Sequence, residues 1–190
     1  MIAQAKFDEA NTYINQISDD SQRINALIYL ANAIYQKDPP ENQKWAERVL
    51  DQARALLPDN PETQNDLNAA TALATAFAQF DAKESFRLLE LMLPMLNELV
   101  QANFVLMKFR NYGGFRHGEI QIGGNNLGIY NLDRTLRALR NRDFDRALQL
   151  TNGFNRPEIR IWLQIQLIDE NSPGTLNLPV ISRQFIRSGG

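Results

Sequence analysis

Leu30-Ala31-Asn32-Ala33-Ile34-Tyr35-Gln36-Lys37-Asp38, followed by Pro39-Pro40 and then by Trp45-Ala46, Leu50, Ala53 and Pro58-Asp59-Asn60-Pro61, decides how this chain folds. Two runs at helical spacing are separated by a proline turn and closed by another proline. Small alanines on both runs let the two helices approach closely. The bulky residues one turn away fill the space to the next pair. The stretch therefore reads as a helical hairpin built to be stacked.

The same pattern extends to both sides. A first helix is expected over about 2–17, with Phe7, Ala10, Ile14 and Ile17 on one face. Asp19 with Gln22 has the spacing of a capping box that opens a second helix over 20–37. Leu30 lies off the main apolar face of that helix, so contacts on two sides are expected. A third helix is expected over 41–57. Asn60-Pro61 reads as an N-cap with proline at the first helical position of a fourth helix over 61–80. Asp81 with Glu84 opens a fifth over 82–101, which Pro94 should kink or split.

Leu30-Ala31-Asn32-Ala33-Ile34 recurs 43 residues later as Leu73-Ala74-Thr75-Ala76-Phe77. A Phe-Asp pair starts three helices, at Phe7-Asp8, Phe80-Asp81 and Phe144-Asp145. On these residues the segment Leu30 to Pro61 resembles one tetratricopeptide repeat, within a repeat at about 24–61. The turn after Asp38 reads as about three residues longer than the family's 34-residue period allows. The copy from Leu73 matches on its first helix, and Leu136 to Phe154 matches mainly at its turn. About half of the chain thus resembles a degenerate tetratricopeptide-like array. The resemblance implies a protein that binds peptides or protein partners in a concave groove. No basic clamp for acidic C-terminal peptides matches, so no peptide-binding residue is carried over.

The middle of the chain departs from this pattern. Six glycines (Gly113, Gly114, Gly118, Gly123, Gly124 and Gly128) fall between Asn111 and Asn131. Glu119-Ile120-Gln121-Ile122 and Leu127-Gly128-Ile129-Tyr130 alternate around Gly123-Gly124-Asn125-Asn126. A small β-hairpin or glycine-rich loop inserted over 112–131 is the expectation. Helices resume over 132–141, 143–153 and 156–169. Residues 171–190 read as an extended tail containing Leu176-Asn177-Leu178-Pro179-Val180, which could latch onto the helices or pair with the hairpin.

Composition sets the outer limits. The chain has 190 residues, of which 44% are apolar and 22% charged, enough for one domain with a sizeable core. No apolar run reaches the roughly 18 residues of a membrane span. The densest run, Phe86 to Val100, is interrupted by Glu90, Pro94, Asn97 and Glu98. The first residues do not read as a signal peptide, although a chain whose leader had been removed would look the same. The expectation is a soluble protein, cytoplasmic by default. Without cysteine there can be no disulfide, thiolate metal site or cysteine nucleophile.

Charge is uneven along the chain. Residues 1–100 hold 8 basic and 15 acidic side chains, and residues 101–190 hold 12 and 7, so net −7 and +5 sum to the overall −2. Such polarity could support head-to-tail self-association. Uneven usage of a solvated surface is the simpler explanation.

Candidate chemistry is sparse. His117, the single histidine, sits near Arg116 and Glu119 in the glycine-rich segment. No nucleophile elbow or triad order accompanies it, and a solvent-facing loop histidine explains it. Asp143 and Asp145 could ligate a metal, but Asp at a helical turn is ordinarily a cap. The double glycines lack the lysine and hydroxyl residue of a phosphate loop. Arg134, Arg137, Arg140, Arg142 and Arg146, flanked by Tyr130 and Phe144, make the best case for a polyanion site. Asp133, Asp143, Asp145 and a pI near 5.5 stand against nucleic acid. The Leu/Met stripe from Leu88 to Leu99 reads as core rather than partner groove.

The sequence therefore specifies an all-α fold, a short solenoid of antiparallel helix hairpins (tetratricopeptide-like or HEAT-like) with the insertion near 112–131. The expected function is a non-catalytic scaffold module for an unknown protein or peptide. Arg116, His117, Glu119, Tyr130, Arg134 and Arg137 are the candidate interaction residues, and no catalytic, metal-binding or cofactor-binding residue is assigned. The alternatives are a polyanion binder through the arginine-rich half, and an enzyme or enzyme subunit with its site in 112–130.

Overall fold

Four of the described helices start where a side chain satisfies amide groups that a helix leaves without partners. The computed structural model describes residues 2–109, 121–122, 125–126 and 129–169. Eight helices are found among the described residues: α1 (Ile2–Ile14), α2 (Asp20–Lys37), α3 (Pro39–Leu56), α4 (Gln64–Phe80), α5 (Ala82–Phe109), α6 (Ile129–Arg140), α7 (Phe144–Asn152) and α8 (Pro157–Ile168). The Asp19 carboxylate accepts from the Gln22 amide at 2.8 Å and opens α2. Asp143 does the same for α7 through the Arg146 amide, at 2.9 Å. Asp81 Oδ1 accepts from the amides of Lys83 and Glu84 at the start of α5.

Several boundaries differ from the sequence reading; α1, expected to about 17, ends at Ile14. Asp38 alone separates α2 from α3, and Pro39-Pro40 opens α3 instead of lengthening the turn. First-turn amides have no helical acceptor, so proline forfeits no hydrogen bond there. Asn42 Nδ2 then reaches back to the Ile34 carbonyl at 3.1 Å and ties the hairpin shut. The cap of α4 is Thr63 rather than Asn60, because Thr63 and Asp66 form a reciprocal capping box. That box satisfies two amides, including Thr63 N at 3.0 Å, whereas Pro61 has no amide to offer. Finally, α5 runs unbroken through Pro94 to Phe109. A proline inside a helix costs about 3 kcal/mol. Burial of Leu88, Leu89, Met92, Leu96 and Val100 along the same helix offsets it.

The helices pack in a regular order. α2 lies against α3 and α4 against α5 as the two most extensive pairs. α2 also packs on α4, α4 on α6, and α6 on α8, while α7 joins α6 to α8. α1 covers α2. α4 lies in the middle, with Leu67, Leu73 and Phe77 buried together with five alanines and Thr71. The Ser85 hydroxyl donates to the Ala74 carbonyl at 2.7 Å, which a close α4–α5 approach allows. Edge-to-face aromatic pairs join α1 to α3 (Phe7–Trp45, 5.7 Å) and α2 to α4 (Tyr35–Phe80, 4.8 Å). No described helix is long and apolar enough to cross a membrane.

Of the insertion expected over 112–131, the described residues hold one short antiparallel pair, Gln121–Ile122 (β1) with Asn125–Asn126 (β2), Gln121 opposite Asn126 and Ile122 opposite Asn125. Ile129 and Tyr130, read as a strand, belong to the first turn of α6. Period-2 alternation over four residues is too short to outweigh helical continuation into Leu132 and Leu136, which the core buries. The rest of the insertion and the tail 171–190 lie outside the described residues.

Candidate functional site

The polar interruptions of the apolar run in α5 share one helix face. Glu90, Pro94, Asn97, Glu98 and Gln101 stand at intervals of four, three, one and three residues, the spacing of a single stripe. The opposite face carries the Leu/Met stripe: Leu88, Leu89, Met92 and Leu96 are buried, and Met95 and Leu99 pack against the core. The interrupted face meets α7 and the turn before α8.

That junction is braced at several points. Arg146 of α7 donates twice to Glu90 Oε1, at 2.9 and 3.0 Å, and lies 4.6 Å from the Phe86 ring centroid. Two helical turns further along, Asn97 Nδ2 donates to the Gly153 carbonyl at 2.9 Å, and Asn97 Oδ1 accepts from the Asn155 amide at 2.8 Å. Gly153 sits so close to α5 that a Cβ there would come within 2.3 Å of Leu93 Cδ2. Arg156 stacks its guanidinium over Phe104 at 3.9 Å.

Beside this bracing, an open groove of about 850 Å³ follows α5. Pro94, Asn97, Gln101, Ala102, Val105 and Leu106 of α5 line it, together with Asn155 of the α7–α8 turn. Val105 is 53% and Leu106 46% exposed, so the groove presents two adjacent branched apolar side chains. Glu98 is the charged group of the lining. Amides and apolar carbon with one carboxylate can hold an extended or helical peptide, but they offer no nucleophile or acid–base pair.

Four described arginines of the C-terminal half, Arg137, Arg140, Arg142 and Arg146, are internal fasteners. Arg137 pairs with Asp133 one turn back and donates to Gln166 Oε1 at 3.1 Å, joining α6 to α8. Arg140 donates to the carbonyls of Leu167 and Asp169, and Arg142 to that of Gln79. Thr75 and Thr135 share a 2.6 Å hydrogen bond between α4 and α6. Burial pushes the Asp133 carboxyl above its ordinary range, and the Arg137 charge pulls against that shift. Arg134 is exposed, and among the described residues its side chain has no hydrogen-bond partner.

Of the six sequence candidates, three fall on described residues and three do not. Arg137 is held in the α6–α8 contact, Arg134 faces solvent, and Tyr130 opens α6. Arg116, His117 and Glu119 lie outside the described residues. Asn97, Gly153, Val105 and Leu106 went unselected, although the spacing of the interruptions in α5 already marked a separate face. No family model, curated protein or solved structure matches the chain.

Proposed function

We propose that this protein is a non-catalytic binding module, a tetratricopeptide-like stack of helical hairpins that takes a peptide segment of a protein partner in the α5 groove. The stack reading is supported by the packing order, in which alternate helices α2, α4, α6 and α8 lie side by side and α3, α5 and α7 each pair with the helix before them. The groove reading is carried by the exposed Val105 and Leu106 beside a turn fastened down by Asn97. A rigid wall with apolar anchors loses little entropy on binding. The partner segment is apolar with a flanking Lys or Arg, the charge that meets Glu98.

An affinity capture from the native host with the wild-type chain and the Val105→Asp/Leu106→Asp variant tests this. Both positions are exposed, so the variant keeps its helical circular dichroism. A partner retained by wild type and lost by the variant is the expected result. Equal capture by both proteins overturns the groove assignment.

A further inference from the structure

The exposed side of α5 has a period of its own. Leu91, Pro94, Glu98, Gln101 and Val105 follow one another at intervals of three, four, three and four residues, and all of them are exposed. That is the spacing of a seam on which a second helix rests along its length. Ala102 lies beside the seam and reaches no further than its Cβ, so another helix axis can approach to about 8 Å. From Pro94 to Leu106 the groove runs about 18 Å, or three helical turns.

The lining offers little to an extended chain. It consists of α5 and Asn155, and no strand belongs to it. Beyond Pro94, the backbone groups of α5 as far as Val105 are bonded within the helix. Asn97 has committed both ends of its side-chain amide to Gly153 and Asn155, and the Asn155 N–H is taken by the same contact. An extended segment would therefore bury its own amides and carbonyls against apolar carbon without partners. A helical segment brings its backbone hydrogen bonds with it. Glu98 is the charged group of the lining, and among the described residues it has no ion-pair partner.

We propose that the partner segment is an amphipathic helix lying along this seam, with a Lys or Arg opposite Glu98. This rests on the reading of the α5 groove as the peptide site. The bound helix spans about 12 residues. It presents apolar side chains one turn from the cation on one side and two turns on the other, toward Pro94 and Val105. Glu98 then sets the register, as a single polar position does in paired helices.

Two phage-displayed libraries of peptides of about 14 residues, panned on the full chain, test this. Every peptide has one central lysine. In one library apolar positions recur at intervals of three and four residues; in the other they alternate. Clones are scored when the Val105→Asp/Leu106→Asp variant loses them. About tenfold more of these should come from the first library. For the best synthetic peptide, Glu98→Arg should weaken binding about tenfold, and exchanging the peptide's lysine for glutamate should restore it. A proline in the middle of that peptide should weaken binding about a hundredfold. Scored clones drawn equally or mainly from the alternating library, or a proline peptide that binds as well, overturn the helix and leave the groove to an extended peptide. Unchanged binding to Glu98→Arg overturns the register. If the double variant loses no clone of either library, the groove reading itself fails and the helix with it.

Discussion

The side-chain amide of Asn97 donates to the carbonyl of Gly153, 56 residues further along the chain and 2.9 Å away. The same amide accepts from Asn155 N, so one side chain fixes both sides of the α7–α8 turn against α5. The α5 and α7–α8 parts of the groove lining are thereby joined. Asn97→Ala removes a donor and an acceptor together and should cost about 1–2 kcal/mol. Amide exchange at Asn155 should accelerate with helical content unchanged. An unaltered exchange rate there would remove the bracing role.

Gly153→Ala tests the closeness of the same turn to α5. The new Cβ would lie 2.3 Å from Leu93 Cδ2 and 3.2 Å from the Leu150 carbonyl oxygen. The leucine end can swing aside, but the backbone oxygen moves less readily. A loss of about 1–2 kcal/mol in urea denaturation is expected. Combining it with Leu93→Ala should make the two losses less than additive, because the main clash is gone.

Arg137→Ala should show a pH dependence whose direction follows from Asp133. Burial already raises that carboxyl above 3.8, and removing Arg137 raises it further. A folded-state carboxyl that holds its proton more tightly than the unfolded chain favours folding at low pH. That advantage is lost as pH rises from the unfolded value through the folded one. The variant should therefore be destabilised by about 3 kcal/mol near neutrality, where a buried carboxylate loses its ion-pair partner, and much less near pH 4. Denaturation midpoints at about pH 4 and pH 8 decide it; a constant loss contradicts the account.

Glu84 has the opposite sign. A hydrogen bond from Arg87, with the charges of Arg87 and Arg54, holds its carboxyl below the ordinary value of 4.5 against partial desolvation. Its contribution is present above the unfolded value and fades as pH falls through the lowered one. The side chain is 21% exposed and Arg87 49%, so solvent screens the pair. Glu84→Gln should cost only about 0.5–1 kcal/mol at neutral pH. Below about pH 3 the two proteins should unfold alike.

Much of the fold is local in origin and was legible in the sequence. The helix-pair stretch Leu30–Pro61, the caps at Asp19, Asp81 and Asp143, and the apolar stripe of α5 depend on residues within a turn or two of one another. The all-helical class follows from these. Tertiary structure decided what local spacing cannot. Ile129 and Tyr130 joined a helix whose next turns the core buries. Arg137, Arg140, Arg142 and Arg146 became fasteners, because carbonyls and carboxylates from distant helices arrived within hydrogen-bond reach. The interruptions at Glu90, Pro94, Asn97 and Glu98 were visible as a stripe in the sequence. That they face the α7–α8 turn, and so bound a groove, depends on contacts more than fifty residues apart in the chain.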